Sequence, residues 1–140
     1  MRNRTLLSLI EMLIMVMVFS VAAAICLRAF VFADSTSREG EETARAAMLA
    51  QSAAELMQRY EGDTDAAAQV FGGSSTAEGR WEAGIGSDWK VTEQDAQYRL
   101  VVEVLENSGS RLLGEATVKV QSSAGDVIFE IPVCWQENGE

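Results

Sequence analysis

The chain has 140 residues, a net charge of −10 and no histidine. Its length allows one domain plus an attached element, and the missing histidine removes the commonest general base and metal ligand. Two cysteines, Cys26 and Cys134, are too few and too far apart for a disulfide framework or a zinc cluster.

The charge is unevenly divided. Over residues 1–33, Arg2, Arg4 and Arg28 outweigh Glu11 and leave +2, whereas the remaining 8 basic and 20 acidic residues leave −12. So acidic a C-terminal part repels phosphate backbones, and no nucleic-acid binding is expected.

Residues 1–5 read as a basic cytoplasmic N-terminus and 6–33 as a transmembrane helix. The apolar run is broken only by Ser8, Glu11, Ser20 and Arg28, and it exceeds what a bilayer core of about 30 Å requires. Arg2 and Arg4 precede it and Asp34, Glu39, Glu41 and Glu42 follow. The positive-inside rule then places the N-terminus in the cytoplasm and the rest outside. Arg28 flanks the far end, where its stem can snorkel to the headgroups. The competing reading is a signal peptide cut after Ala33, which would release an exported acidic binding domain. The length of the run, the early charge of Glu11 and the position of Arg28 favour a retained anchor.

The helical pattern continues over 34–61. Ala46, Leu49, Ala50, Ala53, Leu56, Met57 and Tyr60 form one apolar stripe. Ser35 to Gly40 marks a possible weak point, and Gly62 is expected to supply the left-handed cap. Asp63 or Thr64 can then cap a short helix over 66–71. Residues 62–86 otherwise read as a Gly/Ser-rich connection carrying Trp81.

Over 87–136 the period changes to two, with runs at 89–92, 98–106, 112–122 and 127–135. Tyr98, Leu100, Val102 and Val104 share one face of the second run. Leu112, Gly114, Ala116, Val118 and Val120 do so in the third, and Val127, Phe129, Ile131, Val133 and Trp135 in the fourth. Turn residues at 93–96, 107–110 and 123–126 separate the runs, and 137–140 is a tail. The expected fold is α+β: a long helix, half transmembrane and half amphipathic, packed on a four-stranded antiparallel meander. Pro132 argues that the last strand lies at an edge.

This order of parts, with Ser8-Leu9-Ile10-Glu11 heading a long aliphatic run, resembles the type IV pilin and type II secretion pseudopilin family. The resemblance implies a pilin-like fold and a non-enzymatic, membrane-anchored subunit with no cofactor. Its implied partners are the lipid bilayer, sibling pilin-like subunits and the platform proteins of a pilus or secretion machine. Carried over, Leu7 is the first mature residue, and Leu7, Ser8, Leu9, Ile10 and Glu11 form the assembly segment. Glu11, fifth in that numbering of the mature chain, would pair with a neighbour's free amine. The processing point falls between Leu6 and Leu7. The family's peptidase cuts after a glycine, whereas this chain has Leu6, so Arg4 of an adjacent chain is the next candidate partner for Glu11.

Some relatives of that kind bind calcium. Here Glu61-Gly62-Asp63-Thr64-Asp65 alternates acids but runs straight into Ala66-Ala67-Ala68, and helix capping accounts equally for Asp63, so no metal is expected. Cys26 reads as a small apolar filler and Cys134 as a thiol near an exposed edge. Trp81, Trp89 and Trp135 read as core or sheet-cover residues. Nothing in the sequence fixes two catalytic side chains in one cleft, so no enzymatic activity is expected.

Overall fold

In the computed structural model, residues 2–106 and 112–137 are described. The turn expected at 107–110 and the tail residues 138–140 lie outside them. The chain divides into two compact units, Met1–Glu41 and Glu42–Glu140. Its elements are α1 (Arg2–Arg59), α2 (Thr64–Phe71), β1 (Ser74–Thr76), β2 (Arg80–Ile85), β3 (Tyr98–Leu105), β4 (Leu113–Ser122) and β5 (Val127–Gln136).

In the first unit every described residue is solvent-exposed. The weak point expected around Ser35–Gly40 does not interrupt α1. Asp34 and Arg38 form an i,i+4 ion pair at 3.2 Å, and the hydroxyls of Ser35 and Thr36 both donate to the carbonyl of Phe32. Both hydroxyls share the Phe32 carbonyl with the backbone ladder, back-bonding that costs the helix a little, yet α1 runs on through it.

In the second unit, α1 contributes Ala46, Ala50, Ala53 and Met57 to the core, all fully buried. They recur at steps of three and four, which places them on one face. Three of the four are alanines, so the helix backbone can lie close to the sheet. Burying Met57 contributes about 1.5–3 kcal/mol. Opposite stand Trp81, Ile85, Leu100, Val102, Val118, Val120 and Trp135, while Ala67 and Ala68 of α2 join the same cluster.

The end of α1 corrects one expectation. The N–H of Gly62 donates to the carbonyl of Met57 at 2.9 Å and that of Glu61 to Gln58 at 3.3 Å. This is the Schellman pairing, in which the residue taking the left-handed C′ position is Glu61 (φ 50°), with Gly62 following at φ 86°. Asp63 is the N-cap of α2, its carboxylate accepting from the N–H groups of Asp65 at 3.0 Å and Ala66 at 3.1 Å.

The sheet is an antiparallel meander in the order β1-β2-β3-β4-β5, with five strands rather than four. The two strands missed are β1 and β2, hidden in what reads as a Gly/Ser-rich connection. In β2, Trp81, Ala83 and Ile85 face the core, but glycines at 84 and 86 mask their alternation. Gly84 is required because a Cβ there would lie 2.6 Å from the carbonyl oxygen of Thr92. Residues 89–92 form no strand; Val91 makes only an isolated bridge to Ile85. Leu112 precedes β4 and is exposed. Strand β5 is an edge strand, as Pro132 predicts.

Of the tryptophans, Trp81 and Trp135 are core residues. The Trp81 indole N–H donates to the carbonyl of Gly72 at 2.9 Å, and its ring meets Phe71 edge-on with centroids 5.3 Å apart. Trp89 is half-buried and stacks on Tyr98 with centroids 4.3 Å apart.

Candidate functional site

The residues singled out in the sequence for membrane contact and assembly all lie on α1: Arg2, Arg4, Leu6, Leu7, Ser8, Leu9, Ile10, Glu11 and Arg28. All are exposed. The segment has no Pro and no Gly before Gly40, so nothing in it opposes a helix. Residues 6–33 rise about 42 Å at 1.5 Å per residue, more than a hydrocarbon core of about 30 Å. The helix is long and apolar enough to cross a membrane once.

Polar groups inside this segment are few, Ser8, Glu11, Ser20 and Arg28, and of these the Ser20 side chain is satisfied locally. Ser20 donates to the carbonyl of Val16 at 2.7 Å. The Glu11 side chain, unlike that of Ser20, makes no hydrogen bond and no ion pair among the described residues. An ionised carboxylate has no local counter-charge there, and its cost in hydrocarbon is about 2.5–3.5 kcal/mol even on insertion scales.

Helical geometry specifies what accompanies Glu11. At about 100° per residue, Arg4 projects within about 20° of Glu11 and about 10.5 Å along the axis. The same projection aligns Val18, Ala22 and Ala29 with it. The two alanines on the Glu11 face, Ala22 and Ala29, with the larger Val18 between them and Glu11, were missed in the linear reading. Their signal is the helical angle, which the all-round apolarity of the segment conceals. The face combines a carboxylate, an arginine two turns before it and a strip where another helix backbone can approach closely.

The remaining candidates fall elsewhere. Cys26 and Cys134 are free thiols, the first on α1 and the second on β5. The carboxylate of Asp65 accepts from the Ser75 hydroxyl, and Asp63 is engaged as a cap. Among the described residues no group of three or more Cys, Asp or Glu is placed to hold a metal ion. On the solvent face of the sheet, Arg80 bridges Glu82 at 2.6 Å and Glu103 at 3.0 Å. Lys119 approaches Glu103 at 3.8 Å. These half-exposed pairs close over Val101, which is 2% exposed although it points away from the core.

No protein-family model, curated protein or solved structure matches this chain.

Proposed function

We propose that this protein is a non-enzymatic, pilin-like or pseudopilin-like subunit of a type IV pilus or type II secretion-type assembly. It is anchored by α1 as a single span, with its N-terminus in the cytoplasm and the unit from Glu42 onward outside. The observation that carries the reading is Glu11: an acid without a partner at the head of an exposed apolar helix, directly after Ser8-Leu9-Ile10. Such a charge is stabilised when a cation from another chain meets it in the low-dielectric layer, where attraction is strongest. The cation is a neighbour's free amine at Leu7 if residues 1–6 are removed, or a neighbour's Arg4 if they are retained. Ala22 and Ala29 let the two helices approach on the same face.

The test is Glu11→Gln, measured by co-purification with sibling pilin-like subunits from detergent-solubilised membranes. Loss of association is expected; unchanged association sinks the proposal. Intact mass of the mature protein then separates the forms. Loss of residues 1–6 supports pairing with a free amine at Leu7; full length leaves Arg4 of a neighbour as the cation, or, where Glu11→Gln does not disturb association, a simple anchor. Loss of 1–33 indicates an exported acidic domain outside any filament, which the unit boundary at Glu41–Glu42 would leave with its core complete.

A further inference from the structure

The second unit carries an open groove of about 670 Å³, within the roughly 300–1,000 Å³ of typical ligand clefts. Its origin is a mismatch in strand length. Strand β1 pairs only with Arg80, Trp81 and Glu82, leaving Ala83 and Gly84 without a β1 partner. On one side the chain enters β1 through Gly72-Gly73, and a Cβ on Gly73 would lie 2.2 Å from the carbonyl oxygen of Glu82. On the other, the connection between β2 and β3 returns to the sheet, and the N–H of Thr92 donates to the carbonyl of Gly84 at 2.8 Å. The groove lies between these two approaches.

Two opposite charges line it, Arg99 and Glu93. Both are exposed, and among the described residues neither side chain has an ion pair or hydrogen bond. This contrasts with the rest of that sheet face, where Arg80 and Lys119 are engaged by Glu82 and Glu103. Glu82 also lines the groove, but its carboxylate is held by Arg80 at 2.6 Å. An arginine fork suits a carboxylate, and the carboxylate of Glu93 suits an ammonium group. A simple anion is repelled by a unit in which 7 basic and 17 acidic residues leave a net charge of −10, whereas a zwitterion experiences no net repulsion.

We propose that this groove binds a zwitterionic ligand of peptide type, with Arg99 taking its carboxylate and Glu93 its ammonium group. The site lies wholly within the unit from Glu42 onward and stands independently of any role for the N-terminal helix.

The test is amide NMR on the full chain in detergent micelles, titrated with trialanine. Saturable shifts are expected at Gly73, Gly84 and Thr92. Arg99→Gln and Glu93→Gln should each weaken binding by about tenfold or more, the usual weight of a charge-assisted hydrogen bond. Both side chains are exposed, so the unliganded spectrum should stay unchanged away from the substitution. N-acetyl-trialanine and trialanine amide, each lacking one charge, should bind about tenfold more weakly as well. The proposal is overturned if trialanine gives no saturable shift, or if Arg99→Gln binds like the wild type. It is equally overturned if acetate or N-acetyl-trialanine binds as well as trialanine.

Discussion

Gly114 and Trp135 face each other across β4 and β5, and the indole occupies the space a side chain at 114 would need. A Cβ on Gly114 would lie 2.2 Å from Cε2 of Trp135, and one on Gly62 would lie 2.2 Å from Cζ2. The ring is therefore clasped between a sheet glycine and the glycine that follows α1. Gly114→Ala should destabilise the second unit by about 1–3 kcal/mol through overpacking. Gly62→Ala should cost more, because it adds a left-handed backbone at φ 86° to the same clash. Urea unfolding followed by tryptophan fluorescence measures both. An unchanged midpoint for Gly114→Ala would show that the ring can move aside.

Tyr98 gives a pH-dependent prediction. Its phenol is pushed above the ordinary tyrosine range, first by burial and then by hydrogen bonding to, and the negative charge of, Glu42. A folded pKa above the unfolded value contributes stability that is complete below the ordinary value near 10 and lost as pH rises through the folded value. Glu42→Gln should move the phenolate transition down without abolishing the shift, since burial remains. Ultraviolet titration of the phenolate band reads this directly, and an unmoved transition would remove Glu42 as a cause.

The β5 edge is guarded in two ways. The carbonyl of Cys134 faces away from β4 and accepts from the Gln58 amide at 3.3 Å. By ladder parity Pro132, two residues earlier, faces the same way and offers no N–H. The double variant Gln58→Ala, Pro132→Val should therefore expose a continuous pairing edge. Size-exclusion of the detergent-solubilised chain should shift toward dimers and larger species, while either single variant shifts less. A double variant that elutes as the wild type would show that the edge is covered by other means.

Some elements are legible in the sequence because their signals are local. The stripe Ala46, Ala50, Ala53, Met57 has the helical period and β4 alternates, so a buried face follows there from hydropathy alone, whereas Leu100-Val101-Val102 in β3 and Val127-Ile128-Phe129 in β5 interrupt the alternation. The cap at Asp63 and the edge position of β5 follow likewise from residue chemistry, through a carboxylate next to free N–H groups and a proline without one. The apolarity of 6–33 and the isolation of Glu11 within it are also properties of the sequence.

Tertiary structure decided what depends on residues far apart in the chain. Strand β2 is hidden by glycines whose purpose is visible only when Thr92 closes on Gly84. The pairing of Gly62 and Gly114 joins two positions with no local relationship, brought together because both must yield space to Trp135. Glu61 rather than Gly62 takes the first left-handed position because the hydrogen bonds closing α1 count residues from Met57 and Gln58. The groove between Arg99 and Glu93 exists only because β1 ends before β2 does, and strand register is set by packing across the sheet. Periodicity and residue chemistry act over one turn or one pleat, so the sequence by itself determines elements and faces. Space is shared over the whole domain, so clefts and clasps are determined only when the chain is folded.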